Sequence, residues 1–142
     1  MLYLHPLGQI TATLLCLYAL WLGWARVRTL HLGRKTRFPC QRHAWVGGLG
    51  LGLMTLGVFG GLFMARLYFG AWLRTGEHGL VGLAMLPFLA FGLASGWVLY
   101  QRPAPRKRLP LLHGPNNLWV LALALYQFWE GREVIEHFLR DL

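Results

Sequence analysis

Acidic residues are scarce in this chain of 142 residues, which has five Asp and Glu against fourteen Lys and Arg. Charged residues make up 13% of the sequence and hydrophobic residues 56%. A water-soluble domain usually carries about 25% charged residues, so this chain cannot cover a surface that faces water, and we expect it to face lipid. The formal charge of +9 does not indicate nucleic acid here, because the basic residues flank apolar runs.

Cysteine is almost absent, and this excludes several kinds of site. Cys16 lies in an apolar run and Cys40 in a basic segment, so we expect free thiols and neither a disulfide nor a zinc site. No Cys-x-x-Cys-His motif is present, so any haem would be held without a covalent bond. A nucleotide-binding loop, a nucleophile elbow and paired intramembrane carboxylates are also missing. Hydrolysis and proton-coupled transport therefore have little support.

Four apolar runs predict an all-α membrane protein, an up-down-up-down four-helix transmembrane bundle that forms a single domain over residues 1–142. A hydrocarbon core about 30 Å thick needs about 20 helical residues. The predicted helices cover residues 4–26, 43–71, 78–100 and 113–130, followed by a tail over 131–142 that either continues the last helix or lies at the interface. Met1 to Ile10 contains no Lys or Arg, and no convincing small-residue cleavage site follows the apolar run, which favours a retained helix over a cleaved signal.

Basic residues concentrate in the first and third connections, which hold ten of the fourteen Lys and Arg. The positive-inside rule places these connections in the cytoplasm and both termini outside it, as in a protein of the bacterial inner membrane. Glycines spaced four apart favour close helix packing; these are Gly48 with Gly52, Gly57 with Gly61, and Gly92 with Gly96.

Four of the six histidines stand at the starts of the predicted helices. In an alternating bundle His5 and His78 share one face, and His43 and His113 share the other. Two imidazoles on different helices can bind iron from opposite sides of a haem, so the pattern predicts two b-type haems with bis-histidine ligation. Interfacial histidines are the structural alternative. His137 is an alternative partner for His78, and His31 is expected to be solvated.

Other residues are predicted to surround the cofactor. Gly47 and Gly82 each follow a histidine by four residues on the same helix face, where a flat ring needs space. Trp45 is predicted to pack on the porphyrin. The propionates need cations, which Arg66 on the outer side, and Arg106 with Lys107 on the inner side, could supply. Three polar residues of the last helix could meet haem, a quinone carbonyl or another helix, and helix contacts are favoured; these are Asn116, Asn117 and Gln127.

The segments His43 to Gly47, Glu77-His78-Gly79 and His113-Gly114 resemble the cytochrome b561 superfamily, especially its small four-helix members. The resemblance implies two b haems, one near each membrane surface, and electron transfer between the two sides. A chain this short has no room for a dehydrogenase centre. The expectation is therefore an electron-transfer protein, alone or in a larger membrane complex, whose partner is a quinone or a redox protein. The alternatives are a non-redox structural subunit and, with less support, a metal transporter.

Overall fold

The four apolar runs form four long α-helices in the computed structural model, which describes residues 3–102, 106 and 108–138, without the side chains of Leu30, His31 and Phe138. The helices are α1 (Leu4–His31), α2 (Cys40–Phe69), α3 (Glu77–Gln101) and α4 (Arg108–Phe138). The expected all-helical fold with four helices is therefore confirmed for the described part of the chain.

Within the described residues, three helices are long and apolar enough to cross a membrane. These candidate spans cover Leu4–Thr29, Cys40–Phe69 and Glu77–Gln101. Many large apolar side chains on the outside of the molecule are exposed, including Trp21, Phe59 and Trp97. Such a surface is costly in water and ordinary in lipid. The fourth helix, α4, does not meet the same criteria, because polar and charged residues interrupt its apolar sequence.

The helices are longer than the apolar runs predicted. α1 continues beyond Arg26 to His31, so His31 ends a helix and does not lie in the middle of a loop. The segment after α1 folds back on it, because the Thr36 hydroxyl donates a hydrogen bond to the Ala25 carbonyl at 2.7 Å. α4 begins at Arg108 and continues through the predicted tail, whose last residues, 139–142, lie outside the described part.

The core lies along the axis between the four helices. α1 packs on α2, α2 on α3 and α3 on α4, with a smaller contact between α1 and α4. In the described residues the remaining two pairs, α1 with α3 and α2 with α4, make no close backbone contact and so stand diagonally. All four helices contribute buried core residues: Ala12, Cys16, Leu51, Met54, Met85, Leu89, Val120, Leu121 and Ala124. Cys16 is a buried free thiol and Cys40 an exposed one, as expected.

Glycines permit close packing at some of the predicted positions and not at others. A Cβ at Gly48 or Gly52 would meet no atom within 4 Å, so this pair does not lie at a helix contact. Gly57 and Gly92 face the side chains of Gln9 and Asn117 on neighbouring helices. Gly50, which no spacing rule singled out, lies against the main chain of α1: its Cβ would stand 2.7 Å from the Cys16 sulfur and 3.2 Å from the Ala12 carbonyl oxygen.

Candidate functional site

The four helix-start histidines meet in two pairs across the core. The ring centroids of His5 and His78 are 6.2 Å apart, with planes at 81°. Those of His43 and His113 are 6.3 Å apart, with planes at 71°. All four side chains are half-buried. We call His5 with His78 the first histidine pair, and His43 with His113 the second histidine pair; each joins diagonal helices.

The first histidine pair contains His5 and not His137. His137 is exposed on the last turns of α4, where its Nδ1 donates to the Glu133 carbonyl at 3.3 Å. The ring that faces His78 across the core is that of His5. The structure therefore brings together the two combinations expected from helix direction.

Each histidine ring lies against a glycine of the neighbouring helix. The distances from a Cβ added at the glycine to the ring Cε1 are 2.8 Å for Gly61 and His5, 3.1 Å for Gly23 and His43, 3.3 Å for Gly131 and His78, and 3.3 Å for Gly96 and His113. Real Cβ atoms rarely approach so closely, so a larger residue would force the ring to move. The glycines thus provide the space in which the rings lie.

These glycines follow the helix-start histidines at a fixed spacing, which the predictions above did not include. In every helix a glycine follows the first histidine by 18 residues: His5 and Gly23, His43 and Gly61, His78 and Gly96, His113 and Gly131. Eighteen residues make five helical turns, so both residues lie on one face, about 27 Å apart. Within the pair α1 and α2, and within the pair α3 and α4, the histidine of each helix meets the glycine of the other.

One helical turn further into the bundle, other residues make the same kind of reciprocal contact between paired helices. Residues four after each histidine face residues fourteen after the histidine of the neighbouring helix: Gln9 and Gly57, Gly47 and Ala19, Gly82 and Gln127, Asn117 and Gly92. A Cβ at Gly82 would stand 3.1 Å from the Gln127 side-chain nitrogen, and one at Gly47 would stand 3.5 Å from the Ala19 Cβ. Both glycines predicted to make room for a cofactor therefore also serve helix packing.

A cavity of about 310 Å³ opens beside the first histidine pair. One water needs about 10–15 Å³ on this kind of measure, so the space is large for so small a bundle. Its lining is mainly apolar and includes His5, His78, Met54, Met85, Gly61 and Gly131. Two atoms beside it, His78 Nδ1 and Gln127 Oε1, are buried without a hydrogen bond in the described residues.

Arg132 is a cation at this cavity and was not among the predicted site residues. It lines the cavity one residue after Gly131, and its guanidinium lies 4.6 Å from the centre of the Trp129 ring. Its Nε is 3.7 Å from a carboxylate oxygen of Glu136. Its position at the cavity could not be predicted from the sequence, because its place in the predicted tail gave no direction for the side chain.

Hydrogen bonds hold both rings of the second histidine pair. His43 Nδ1 lies 2.9 Å from the Ala19 carbonyl oxygen, and His113 Nδ1 lies 2.8 Å from the Ser95 hydroxyl. Asn117, predicted to bind a cofactor, places its amide nitrogen 3.2 Å from each ring nitrogen of His113. Ser95 was not anticipated, because a single serine in an apolar run carries no spacing signal.

The favoured helix contacts of the other two α4 amides are present. Asn116 donates to the Phe88 carbonyl at 3.0 Å, and Gln127 donates to the His78 carbonyl at 3.0 Å. Both bonds join α4 to α3. The three amide side chains of α4 therefore all make hydrogen bonds within the bundle.

The remaining predicted site residues lie apart from the histidine rings. Trp45 is 69% exposed, and its ring is on the outside of the bundle. Arg66 is exposed and donates to the Gly70 carbonyl at 3.0 Å, which satisfies the end of α2. Arg106 is half-buried and its guanidinium is 3.4 Å from the Val98 carbonyl near the end of α3. Lys107 lies outside the described residues.

In the described part of the chain no three or more His, Cys, Asp and Glu side chains gather in a group able to hold a metal ion. The geometry thus offers pairs of imidazoles across the core, and an apolar cavity beside one of them. No family model, curated protein or solved structure matches this chain.

Proposed function

We propose that the chain is a dihaem membrane cytochrome that carries electrons across the bilayer, with one b-type haem held between the rings of each histidine pair. The observation that carries the proposal is the distance between facing rings, 6.2 Å and 6.3 Å. Two imidazole nitrogens on one metal ion each lie about 2 Å from it, which leaves the ring centres about 6 Å apart. Haem supplies a one-electron iron couple, and bis-histidine ligation is one of its ordinary forms.

The surroundings of the first histidine pair support a flat, apolar cofactor. The cavity is lined by glycines and methionines, and the ring of His78 carries a buried nitrogen without a hydrogen bond in the described residues. Buried polar atoms in proteins usually have a partner, so a nitrogen without one supports a site that binds a cofactor. Arg132 at the cavity is placed to meet an anionic group.

The contacts along the helices support an up-down-up-down bundle. His5 near the start of α1 faces Gly61 near the end of α2, and His43 near the start of α2 faces Gly23 in α1. The same exchange joins α3 to α4. The two levels are about 27 Å apart along α1, close to the thickness of a hydrocarbon core, about 30 Å. One site would then lie near each membrane surface.

We infer that all four helices cross the membrane, with the basic connections in the cytoplasm and the termini outside, as in the bacterial inner membrane. The second histidine pair is then near the cytoplasmic surface and the first near the outer surface. A quinone or a redox protein, or a larger membrane complex, would supply or accept the electrons. The role is electron transfer, and no residue of the chain is assigned to catalysis.

Single substitutions of the four histidines test the proposal. The variants His43→Ala and His113→Ala should each reduce the haem content from two per chain to one, and the same haem should be lost in both. The variants His5→Ala and His78→Ala should remove the other. His137→Ala is the matched control and should keep two. If all five variants keep the full haem content, the histidines are interfacial and do not ligate the haem, and the proposed ligation is wrong.

A further inference from the structure

We propose that Ser95 is a positioning residue for His113: its hydroxyl holds the ring in one tautomer and lowers the reduction potential of the site at the second histidine pair. This inference rests on the proposed haem at that pair. Ser95 contacts the proposed iron ligand His113 and is not a ligand itself. Its hydrogen bond makes the two sites chemically different, although the bundle repeats the same histidine and glycine positions in every helix.

The first step is the direction of the hydrogen bond between Ser95 and His113. The Ser95 side chain is 4% exposed, and its oxygen lies 2.6 Å from the Phe91 carbonyl oxygen. A carbonyl cannot donate, so the single hydroxyl proton is used on Phe91. The Ser95 oxygen then accepts from the ring, and His113 Nδ1, at 2.8 Å, carries a proton.

The Asn117 side chain is compatible with the tautomer that Ser95 assigns to His113. Its amide nitrogen donates to the main-chain oxygen of His113 at 2.9 Å and lies 3.2 Å from Nε2. An amide nitrogen can only donate, so it can bond only the ring nitrogen that carries a lone pair. The same nitrogen is 3.2 Å from Nδ1, but only a nitrogen with a lone pair can accept its proton. Nε2 therefore carries the lone pair that a metal needs.

The two histidine pairs differ in the hydrogen bonds that hold their rings. His43 Nδ1 donates to the Ala19 carbonyl at 2.9 Å, so both rings of the second histidine pair are held. In the first histidine pair, the His78 ring lies beside the main chain of Gln127, but its Nδ1 makes no hydrogen bond within the described residues. The ring of His5 contacts His78 and Gly61 and makes no hydrogen bond within the described residues.

The consequence is a difference in ligand basicity. A hydrogen bond from the outer ring nitrogen makes the ligating nitrogen a stronger base, and a stronger base favours oxidised iron over reduced iron. Hydrogen bonding of this kind is one of the means by which proteins tune such a site. Removing the Ser95 hydroxyl should therefore raise the reduction potential at the second histidine pair and leave the first unchanged.

Redox titration of the purified holoprotein tests this inference. Ser95→Ala should raise one of two midpoint potentials, namely that of the haem lost in His113→Ala. Ser95→Thr keeps the hydroxyl and should restore the original value. Thr55→Ala is the matched control, because the Thr55 hydroxyl bonds the Leu51 carbonyl at 2.8 Å in the same local geometry and serves no histidine. Two bound haems with unchanged potentials in Ser95→Ala would overturn the inference while leaving the proposed function intact.

A measurement on the unmodified protein covers the case in which Ser95→Ala does not fold or loses its haem. In reduced protein labelled with ¹⁵N at histidine, the Nδ1 proton of His113 should be shifted downfield and exchange slowly with water. A rapidly exchanging proton there, without a hydrogen-bonded shift, overturns the inference. If the protein purifies without haem, the proposed function fails. The ring of His113 should still be protonated at Nδ1, and protonation at Nε2 would then overturn the tautomer assignment as well.

Discussion

At the residue scale, the repeated unit is a histidine ring that lies against a glycine. A glycine has no Cβ, so the ring approaches the helix backbone more closely than any other residue would allow. Gly61 illustrates this most sharply, because its added Cβ would stand 2.8 Å from His5 Cε1. The preceding residue, Gly60, has no atom within 4 Å of its Cβ position and faces outward from this contact.

These neighbouring glycines provide a matched pair of substitutions. Gly61→Ala should push the His5 ring away from its position and remove one haem, the one that His78→Ala also removes. Gly60→Ala should keep both haems and, by helix propensity, be neutral or more stable by up to about 1 kcal/mol. The ratio of haem to protein in the purified variants checks this. Equal haem contents in the two variants would show that the glycine does not set the ring position.

The sequence predicted the histidines better than their supporting residues. The position of a histidine at each helix start, together with alternating helix direction, was enough to predict which rings face each other. Ser95 and Arg132 could not be found in this way, because their roles depend on which way one side chain points in the folded bundle. Trp45 was predicted beside the cofactor from its place in the chain, and the structure puts it on the outside.

At the scale of the elements, α1 and α2 approach each other closely at Gly50. Its added Cβ would meet the Cys16 sulfur at 2.7 Å and the main chain of both Ala12 and Cys16 at 3.2 Å. Main-chain atoms of a helix cannot yield locally, so relief requires the two helices to separate. Gly48, two residues earlier, has no neighbour within 4 Å of its Cβ position.

Gly50→Ala should therefore destabilise the bundle by about 1–3 kcal/mol, the usual cost of overpacking a filled contact. Gly48→Ala is the control and should leave stability unchanged or slightly higher. Thermal unfolding of the two variants in the same detergent measures the difference. An unfolding midpoint of Gly50→Ala equal to that of Gly48→Ala would mean that α1 and α2 are not in close contact there.

Apolar length predicted the existence of the helices but not their ends. α1 runs past its basic residues to His31, and α4 begins at Arg108, before the apolar run. Pro110 is compatible with this start, because the first turn of a helix has no partners for its amide groups. Hydropathy marks where lipid ends, whereas hydrogen bonds such as that from Thr36 to Ala25 decide how the chain continues beyond it.

At the scale of the whole molecule, charge is distributed unevenly. The two connections beside the second histidine pair, together with the helix ends that flank them, hold ten of the fourteen basic residues, whereas Glu77 and the acidic residues of α4 lie towards the first histidine pair. The positive-inside rule then gives one orientation for the bundle. The chain contains a natural reporter, since Cys40 is exposed at the start of α2 and Cys16 is buried.

A thiol reagent that does not cross membranes should label Cys40 only after the cells are permeabilised. In a Cys40→Ser background, Arg74→Cys in the α2–α3 turn should be labelled on intact cells, and so should Arg132→Cys near the end of α4. The last variant tests whether α4 crosses the membrane. Labelling of Cys40 from outside would reverse the proposed orientation. If Arg132→Cys is labelled only after permeabilisation, both ends of α4 lie inside the cell and α4 does not cross the membrane.

The absorbance spectrum of the purified protein, recorded oxidised and reduced, tests the central claim most directly. Protein from haem-replete cells should show a b-type reduced-minus-oxidised difference, with two haems per chain. Acid-acetone should extract both completely, because the chain has no Cys-x-x-Cys-His motif to bind them. A colourless protein, or one whose spectrum does not change on reduction, would contradict the account.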